Sequence, residues 1–386
     1  MNDNHAQNPY GEILSSNSYG NRQLLWNKIR RELNNKYGML NNEDTNILVK
    51  IIEGIQTDKV EKNINVVTSD GFTINEQEYN WLGKNTENKW AEYLIYRYKY
   101  KNYPREQILK NFPPYVLLEP TSICNIRCVM CFQVDRSFSS NKDFLGRMPW
   151  DIFTKAVDEI ADNNCNAITL ASRGEPTLHP QLGEMLAYIQ SKDILDVKLN
   201  TNATVLTAEL ARSILNAGVN EVVFSVDAGT KETYELIRVK GKFDNVVKNI
   251  QTFKTIRDTE YRNPKTTTRI TGVKVRDDQD IDQMVNFWDQ YVDEVAIKPA
   301  SARWDSYNND LSHKSSPCNE LWERIYVWYD GTLNPCDFDY KSFLSPGNLR
   351  EMTISEAWNS PIYNKIRQNH LDSKRSKCFP CDRCPF

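Results

Sequence analysis

Histidine is scarce in this chain of 386 residues: only His5, His179, His313 and His370 occur, and no two stand in HxxxH or another zinc-ligand spacing. There is also no GxxxxGK[ST] loop and no GxSxG turn, so hydrolase and nucleotide-kinase readings have no residues to carry them. No apolar stretch approaches the roughly 18 residues of a membrane span. The opening MNDNHAQNPYGEILSS is polar, without the basic and apolar regions of a secretion signal. Neither sign of charge dominates, since 48 Lys and Arg face 51 Asp and Glu. That balance removes the whole-chain case for nucleic acid or an anionic membrane as partner. Fixed-period repeats and extended low-complexity tracts are missing too. The expectation is a soluble, cytoplasmic protein.

Cysteine, by contrast, is well represented, and eight of the nine fall in two groups. In a secreted chain such a number suggests disulfides; grouped like this, the thiols point to metal and to a reducing compartment. The first group is CxxxCxxC, with Cys124, Cys128 and Cys131 in PTSICNIRCVMCFQ, directly after the β-like run Tyr115 to Leu118. Three thiolates in one short loop can hold three irons of a [4Fe-4S] cluster and leave the fourth iron open. A structural zinc site wants a fourth protein ligand, and none lies nearby in the sequence. This loop resembles the signature of the radical S-adenosylmethionine (SAM) enzymes. The resemblance implies that the open iron chelates the amino and carboxylate groups of SAM, with Met130, the bulky apolar residue before the third cysteine, against the adenine.

The middle of the chain alternates strand and helix patterns. Candidate strands begin at Tyr115, Ala167, Val197, Glu221, Arg269 and Glu294. Helical patterns lie between them, one from Trp150 opened by Pro149 and one from Leu206 closed by Gly218. Alternation of this kind gives an α/β protein with a parallel sheet and helices outside it. Six units are too few for a full barrel, and the resemblance implies a partial (β/α)6 barrel with its site at the strand C-termini. SRGEPTLHP looks like that family's GGEP segment, in which Glu175 contacts the SAM amino group. Arg173 replaces the usual first glycine and is expected to face a substrate anion. NTNAT resembles the family's TNG turn, which makes Asn202 a SAM contact or simply a residue tolerant of a left-handed turn. Ser225 and Arg238 match residues that bind the SAM carboxylate in similar enzymes, and Asp227 is read as shaping the turn between them. Strand-end Arg276 and Lys298 point either toward the cavity or into solvent.

The second cysteine group closes the chain. Cys318, Gly331 and Cys336 precede a CxxCxxC run of Cys378, Cys381 and Cys384. IYVWYDGTLNPC reads as a β-hairpin turned at Asp330-Gly331, and NLREMTISEAWNS as a helix. The arrangement resembles the SPASM/twitch extensions of radical SAM enzymes. Five cysteines support one auxiliary [4Fe-4S] cluster, held by Cys318, Cys336, Cys378 and Cys381, with Cys384 replacing one of them or left free. A zinc ribbon is the alternative use of the same residues. Cys165 stands apart and reads as a buried structural thiol.

Residues 1–20 read as a flexible tail, 21–110 as a small, mainly helical module, 111–300 as the barrel and 301–386 as the auxiliary-cluster extension. In the helical module, Leu25, Ile29 and Leu33 form one stripe, and Ile47, Ile51 and Ile55 another after an Asn41 or Asn42 cap. YRYKYKNYPR, Tyr96 to Arg105, interleaves basic and aromatic residues as RNA-binding surfaces do, or else lays its tyrosines on the barrel. The resemblance implies an enzyme that cleaves SAM reductively to a 5'-deoxyadenosyl radical and abstracts hydrogen from an unactivated carbon. The expected chemistry is oxidation or epimerisation of a sugar or aminocyclitol-like small molecule, with a flavodoxin or ferredoxin as reductant. The alternatives are a maturase acting on a ribosomally made peptide and a non-catalytic iron-sulfur or zinc scaffold that binds RNA.

Overall fold

The computed structural model describes residues 12–16, 22–36, 39–57, 64–300 and 305–386. Its strands, in chain order, are β1 (Glu12–Ser16), β2 (Ile55–Thr57), β3 (Ile64–Val66), β4 (Tyr115–Leu118), β5 (Arg127–Cys128), β6 (Ala167–Leu170), β7 (Asp196–Thr201), β8 (Glu221–Ser225), β9 (Arg238–Val239), β10 (Thr267–Lys274), β11 (Glu294–Pro299), β12 (Ile325–Val327), β13 (Thr332–Asn334) and β14 (Gly347–Asn348). The six strands expected from the sequence pair in parallel in the order β4-β6-β7-β8-β10-β11. Helices lie between them, as the alternation requires. Trp150–Asp162 starts after Pro149, and Ala208–Asn216 is capped by Thr207 and ends before Gly218 at φ 63°. The result is the partial barrel of the α/β reading.

Both edges of this sheet carry extra strands. At one edge β1 pairs antiparallel with β11, so the stretch read as a flexible tail contains a strand instead. At the other, β12 lies parallel to β4 and turns back through β13 to β14. The expected hairpin turns at Gly331, φ 88°, and it continues the barrel sheet rather than standing off from it.

Strand alternation sorts side chains to two faces. Outward-facing Leu118, Ile168, Leu199, Val222, Ile270 and Val295 form the core with the helices. The inward face is polar at the strand N-termini. Lys198 pairs with Glu221 (2.9 Å), and Arg269 pairs with both Glu221 (2.6 Å) and Glu294 (2.8 Å). The N-terminal module closes this end of the barrel. Its helices are α1 (Arg22–Lys36), α2 (Asn42–Glu53), α3 (Glu76–Lys84) and α4 (Trp90–Asn102). Asn41 caps α2, and Asn75 with Glu78 forms a capping box on α3. From α3, Asn80 donates to Glu294 (2.6 Å) and Gln77 to Glu221 (3.0 Å). Lys198, Glu221, Arg269 and Glu294 are thus paired on the floor, the condition for burying charges at all.

The basic and aromatic run of α4 is packed inward. Tyr96, Arg97, Tyr98, Tyr100 and Tyr103 are all buried, and Arg97 pairs with Glu78 at 2.7 Å. These rings and this guanidinium are not presented to solvent, which removes the RNA-binding surface. Among the described residues no helix is long and apolar enough to cross a membrane.

Candidate active site

The first cysteine loop hangs from the C-terminal end of β4 and is pinned at three points. At its base Thr121 and Ser122 hydrogen-bond to Gly146. In its middle β5 pairs with β9, setting Cys128 opposite Arg238, and Val129 N donates to Ile237 O at 3.0 Å. At its end Gln133 Nε2 donates to the carbonyls of Ser122 and Arg173. Cys128 is buried, while Cys124, Met130 and Cys131 are half-buried. Burial raises the Cys124 and Cys128 thiols to about 12, and the neighbouring thiols add to the rise. Arg238 works the other way on Cys128. Thiols raised in this way become thiolates only when a cation group sits among them, which fits a cluster that supplies the positive charge.

Glu175 lies against this loop because Gly174 permits the approach. A Cβ on Gly174 would stand 2.1 Å from Thr121 O, and Glu175 N donates to Ile123 O at 2.9 Å. The Glu175 carboxylate is buried and accepts from Thr177 N (3.1 Å), Thr177 Oγ1 (2.5 Å), Thr201 Oγ1 (2.6 Å) and Asn202 N (2.6 Å). Burial still outweighs these donors and raises its pKa. Asn202 donates to Asn125 Oδ1 at 3.0 Å and reaches within 3.9 Å of Cys124 Sγ. Arg238 Nε donates to Asp227 Oδ2 at 2.6 Å, and Asp227 Oδ1 accepts from Val273 N at 2.8 Å. Asp227 therefore anchors the arginine as well as the turn. Ser225 ends β8 half-buried, opposite Thr271 of β10.

Of the arginines singled out in the sequence, Arg276 takes the solvent alternative and only Arg173 departs from its expected place. Arg276 is exposed and forms a bidentate pair with Asp278, the local partner two residues away. Arg173 does not face a substrate anion. It is buried, donates to both oxygens of Glu119 (2.7 Å each) and to Tyr340 O (3.0 Å), and stacks 4.2 Å from the Trp328 ring. It thereby joins the ends of β4 and β6 to the C-terminal region. Lys298, the third such cation, is half-buried on β11. Cys165 is buried, its thiol donating to Ala167 O.

Sequence reasoning passed over Glu119 and Tyr234. Tyr234 is fully buried beside Arg238 and Cys128, and its hydroxyl has no partner. Its place one helical turn before Arg238 was the available signal.

The second cysteine group gathers from three segments. Cys318 precedes the turn Glu320–Glu323, Cys336 follows β13, and Cys378, Cys381 and Cys384 lie in two 3-10 turns near the end. Burial raises the thiols of Cys318, Cys336, Cys381 and Cys384. Cys384 further raises Cys318, Cys336 and Cys381, so it sits inside the group. Cys378 reaches Cys381, and its sulfur accepts from Asn369 Nδ2 at 3.3 Å. Among the described residues no three His, Cys, Asp or Glu side chains form a group that could hold a single metal ion. Around the thiols, His370 Nε2 and the Tyr363 hydroxyl are buried with no partner. Orphaned donors beside a set of thiols fit an acceptor larger than the protein supplies, as the sulfides of a cluster are.

Comparison with known proteins agrees with this division. The model of the Radical SAM superfamily matches residues 118–287, and the model of the SPASM iron-sulfur cluster-binding domain matches 318–385. Curated relatives include the tungsten-containing aldehyde ferredoxin oxidoreductase cofactor-modifying protein of Pyrococcus furiosus. It is 34% identical over 114 residues, 29% of this chain and 30% of that protein. The Fe-coproporphyrin III synthase of Methanosarcina barkeri is 29% identical over 145 residues, 37% of this chain and 35% of that one. The chain thus spans about a third of the length of these relatives. Among solved structures, Streptococcus suis SuiB bound to precursor peptide SuiA matches with TM-score 0.53 and 14% identity, over 83% of this chain and 91% of that one.

Proposed function

Since this chain is a radical SAM protein with a C-terminal SPASM iron-sulfur domain, we propose that it oxidises or epimerises a hydroxylated small molecule of the sugar or aminocyclitol class. When bound, SAM and the first [4Fe-4S] cluster supply a 5'-deoxyadenosyl radical able to take hydrogen from an unactivated carbon. The chain's own residues do the rest. Cys124, Cys128 and Cys131 hold the first cluster. Glu175, a buried carboxylate that its donors leave under-compensated, receives the SAM amino group. Asp227 occupies the Nε side of Arg238, so the guanidinium can meet the SAM carboxylate together with Ser225. Met130 lies along the adenine, and Asn202 ties this site to Cys124. In the SPASM region Cys318, Cys336 and Cys381 are three ligands of one auxiliary cluster, and Cys384 competes with Cys378 for the fourth place. An external one-electron carrier, a flavodoxin or ferredoxin in the cytoplasm, supplies the reducing electron.

The observation that carries the substrate class is the inner wall of the barrel. Asn200 shares its face of β7 with Lys198, and its Oδ1 is buried with no donor. Ser225 and Thr271, paired across β8 and β10, stand nearer the mouth on the same inner face. A wall with an unsatisfied acceptor and the Thr271 hydroxyl above a floor of ion pairs suits a ligand rich in hydroxyl groups. The test is a panel of sugars and aminocyclitols set against synthetic peptides, scored by stimulation of 5'-deoxyadenosine formation. Stimulation by at least one hydroxylated compound, weakened by Asn200→Ala, is expected. Stimulation by peptides alone would move the reading to peptide modification.

A further inference from the structure

The buried arginines of this chain fall into two kinds. Arg97, Arg173, Arg238, Arg257, Arg269 and Arg324 each pair with a carboxylate: Glu78, Glu119, Asp227, Asp293, Glu294 and Glu323. Arg367 forms no salt bridge among the described residues and donates instead to the carbonyls of Leu321 and Trp358 and to Asn364 Oδ1. Arg375 is the other without one. It is 2% exposed in the turn just ahead of Cys378, and it forms no salt bridge among the described residues. Its Nε donates to Cys381 O at 3.1 Å. Its guanidinium lies close enough to the sulfurs of Cys318, Cys381 and Cys384 to act on all three. The acid in this neighbourhood, Glu320, is half-buried and acts on Cys318, Cys336 and Cys384 in the opposite sense. A guanidinium buried without a counter-charge is costly enough that its surroundings must supply one. Among the described residues no carboxylate pairs with Arg375, and an anionic group held by the cysteines would supply that charge.

Two neutral donors stand beside it. Cys318 N donates to His370 Nδ1 at 3.2 Å, which places the ring proton on Nε2, buried and unpartnered. The Tyr363 hydroxyl, also unpartnered, lies near enough to feel the charge of Cys336. Tyr363 and His370 are seven residues apart on the helix Pro361–Leu371, so they share one face.

We propose that Arg375, with the donors of His370 and Tyr363, is a built-in positive shell that raises the reduction potential of the auxiliary cluster. The inference rests on the reading that the C-terminal cysteines hold a [4Fe-4S] cluster. Reduction adds one negative charge to a cluster that four thiolates already make anionic, so a fixed positive charge and hydrogen bonds to sulfur favour the reduced form. The electron balance is simple. With a cluster bound there, a carbinol radical left by hydrogen abstraction would give one electron to it and its hydroxyl proton to water and become a carbonyl. A one-electron carrier protein then reoxidises the cluster.

The experiment is an anaerobic redox titration of both clusters, followed by electron paramagnetic resonance, in the reconstituted full chain and in Arg375→Met, Arg375→Gln and Arg375→Lys. The neutral variants should lower the auxiliary midpoint by about tenfold in the one-electron equilibrium, ~59 mV, and leave the SAM-binding cluster unchanged. Arg375→Lys should keep most of the native value. An auxiliary midpoint in Arg375→Met and Arg375→Gln equal to wild type overturns the proposal. If the neutral variants lose the cluster, retention in Arg375→Lys upholds the counter-charge, whereas loss in all three marks a packing role and overturns it. A wild-type protein with only about four irons sinks the underlying cluster reading instead.

Discussion

Replacing Cys124, Cys128 and Cys131 together with alanine is expected to reduce the iron content from about eight atoms per chain to about four and to abolish release of 5'-deoxyadenosine from SAM. The two cysteine groups lie on separate segments, one loop pinned by β9 and Gly146, the other gathered from before β12, after β13 and near residue 380. The auxiliary iron should therefore survive. Only the first group, three thiols without a fourth, leaves an iron open to SAM. Iron analysis and chromatography of the quenched reaction read both outcomes. Residual cleavage in the triple variant would mean that SAM is bound and reduced at the C-terminal site.

The largest effect on stability should come from Arg173→Gly, which installs the residue expected at this position from the GGEP pattern. Glu119 is fully buried and bonded at both oxygens by this guanidinium. Removing one partner of a buried pair costs about 3–5 kcal/mol, because the other charge is left uncompensated. The same change releases Tyr340 O and the Trp328 ring, so the SPASM region should loosen against the barrel. Anaerobic urea unfolding measures the loss. Adding Glu119→Gln to Arg173→Gly should recover much of it, since a neutral amide is cheaper to bury than a lone carboxylate. Arg173→Gly within about 0.5 kcal/mol of wild type would place it among ordinary surface substitutions and end its role as a strut.

Arg173 also shows where sequence reading stops. The cysteine loop, the six strands and the turn at Gly331 are local signals: spacing, alternation and a residue tolerant of positive φ. They depend on neighbours a few residues away, and all three are present as read. Arg173, Arg276 and Arg375 are identical as letters. One is buried on Glu119, one is in solvent on Asp278, and one is buried among thiols, because partners 54 residues, two residues and a whole metal site away decide the matter. The tyrosines of α4 take the packed alternative and not the surface one for the same reason, since the module they pack in is folded over the floor of the barrel. Pairing of β12 beside β4 joins strands more than 200 residues apart, a distance at which no local pattern speaks.

Glu175, Asn202 and Arg238 occupy an intermediate case. Their motifs named them, and the folded chain brings them to the loop that holds Cys124 and Cys128. Gly174, required by a carbonyl 2.1 Å from its missing Cβ, explains why the segment can come so close. Tyr234 adds a buried hydroxyl to the same neighbourhood without any motif to announce it.

The central claim is that this chain cleaves SAM at the first cysteine loop, and one measurement meets it directly. Anaerobically reconstituted protein, reduced with dithionite or flavodoxin and incubated with SAM, should release 5'-deoxyadenosine slowly even without substrate. SAM recovered intact after prolonged incubation of a sample carrying about eight irons per chain would contradict the account.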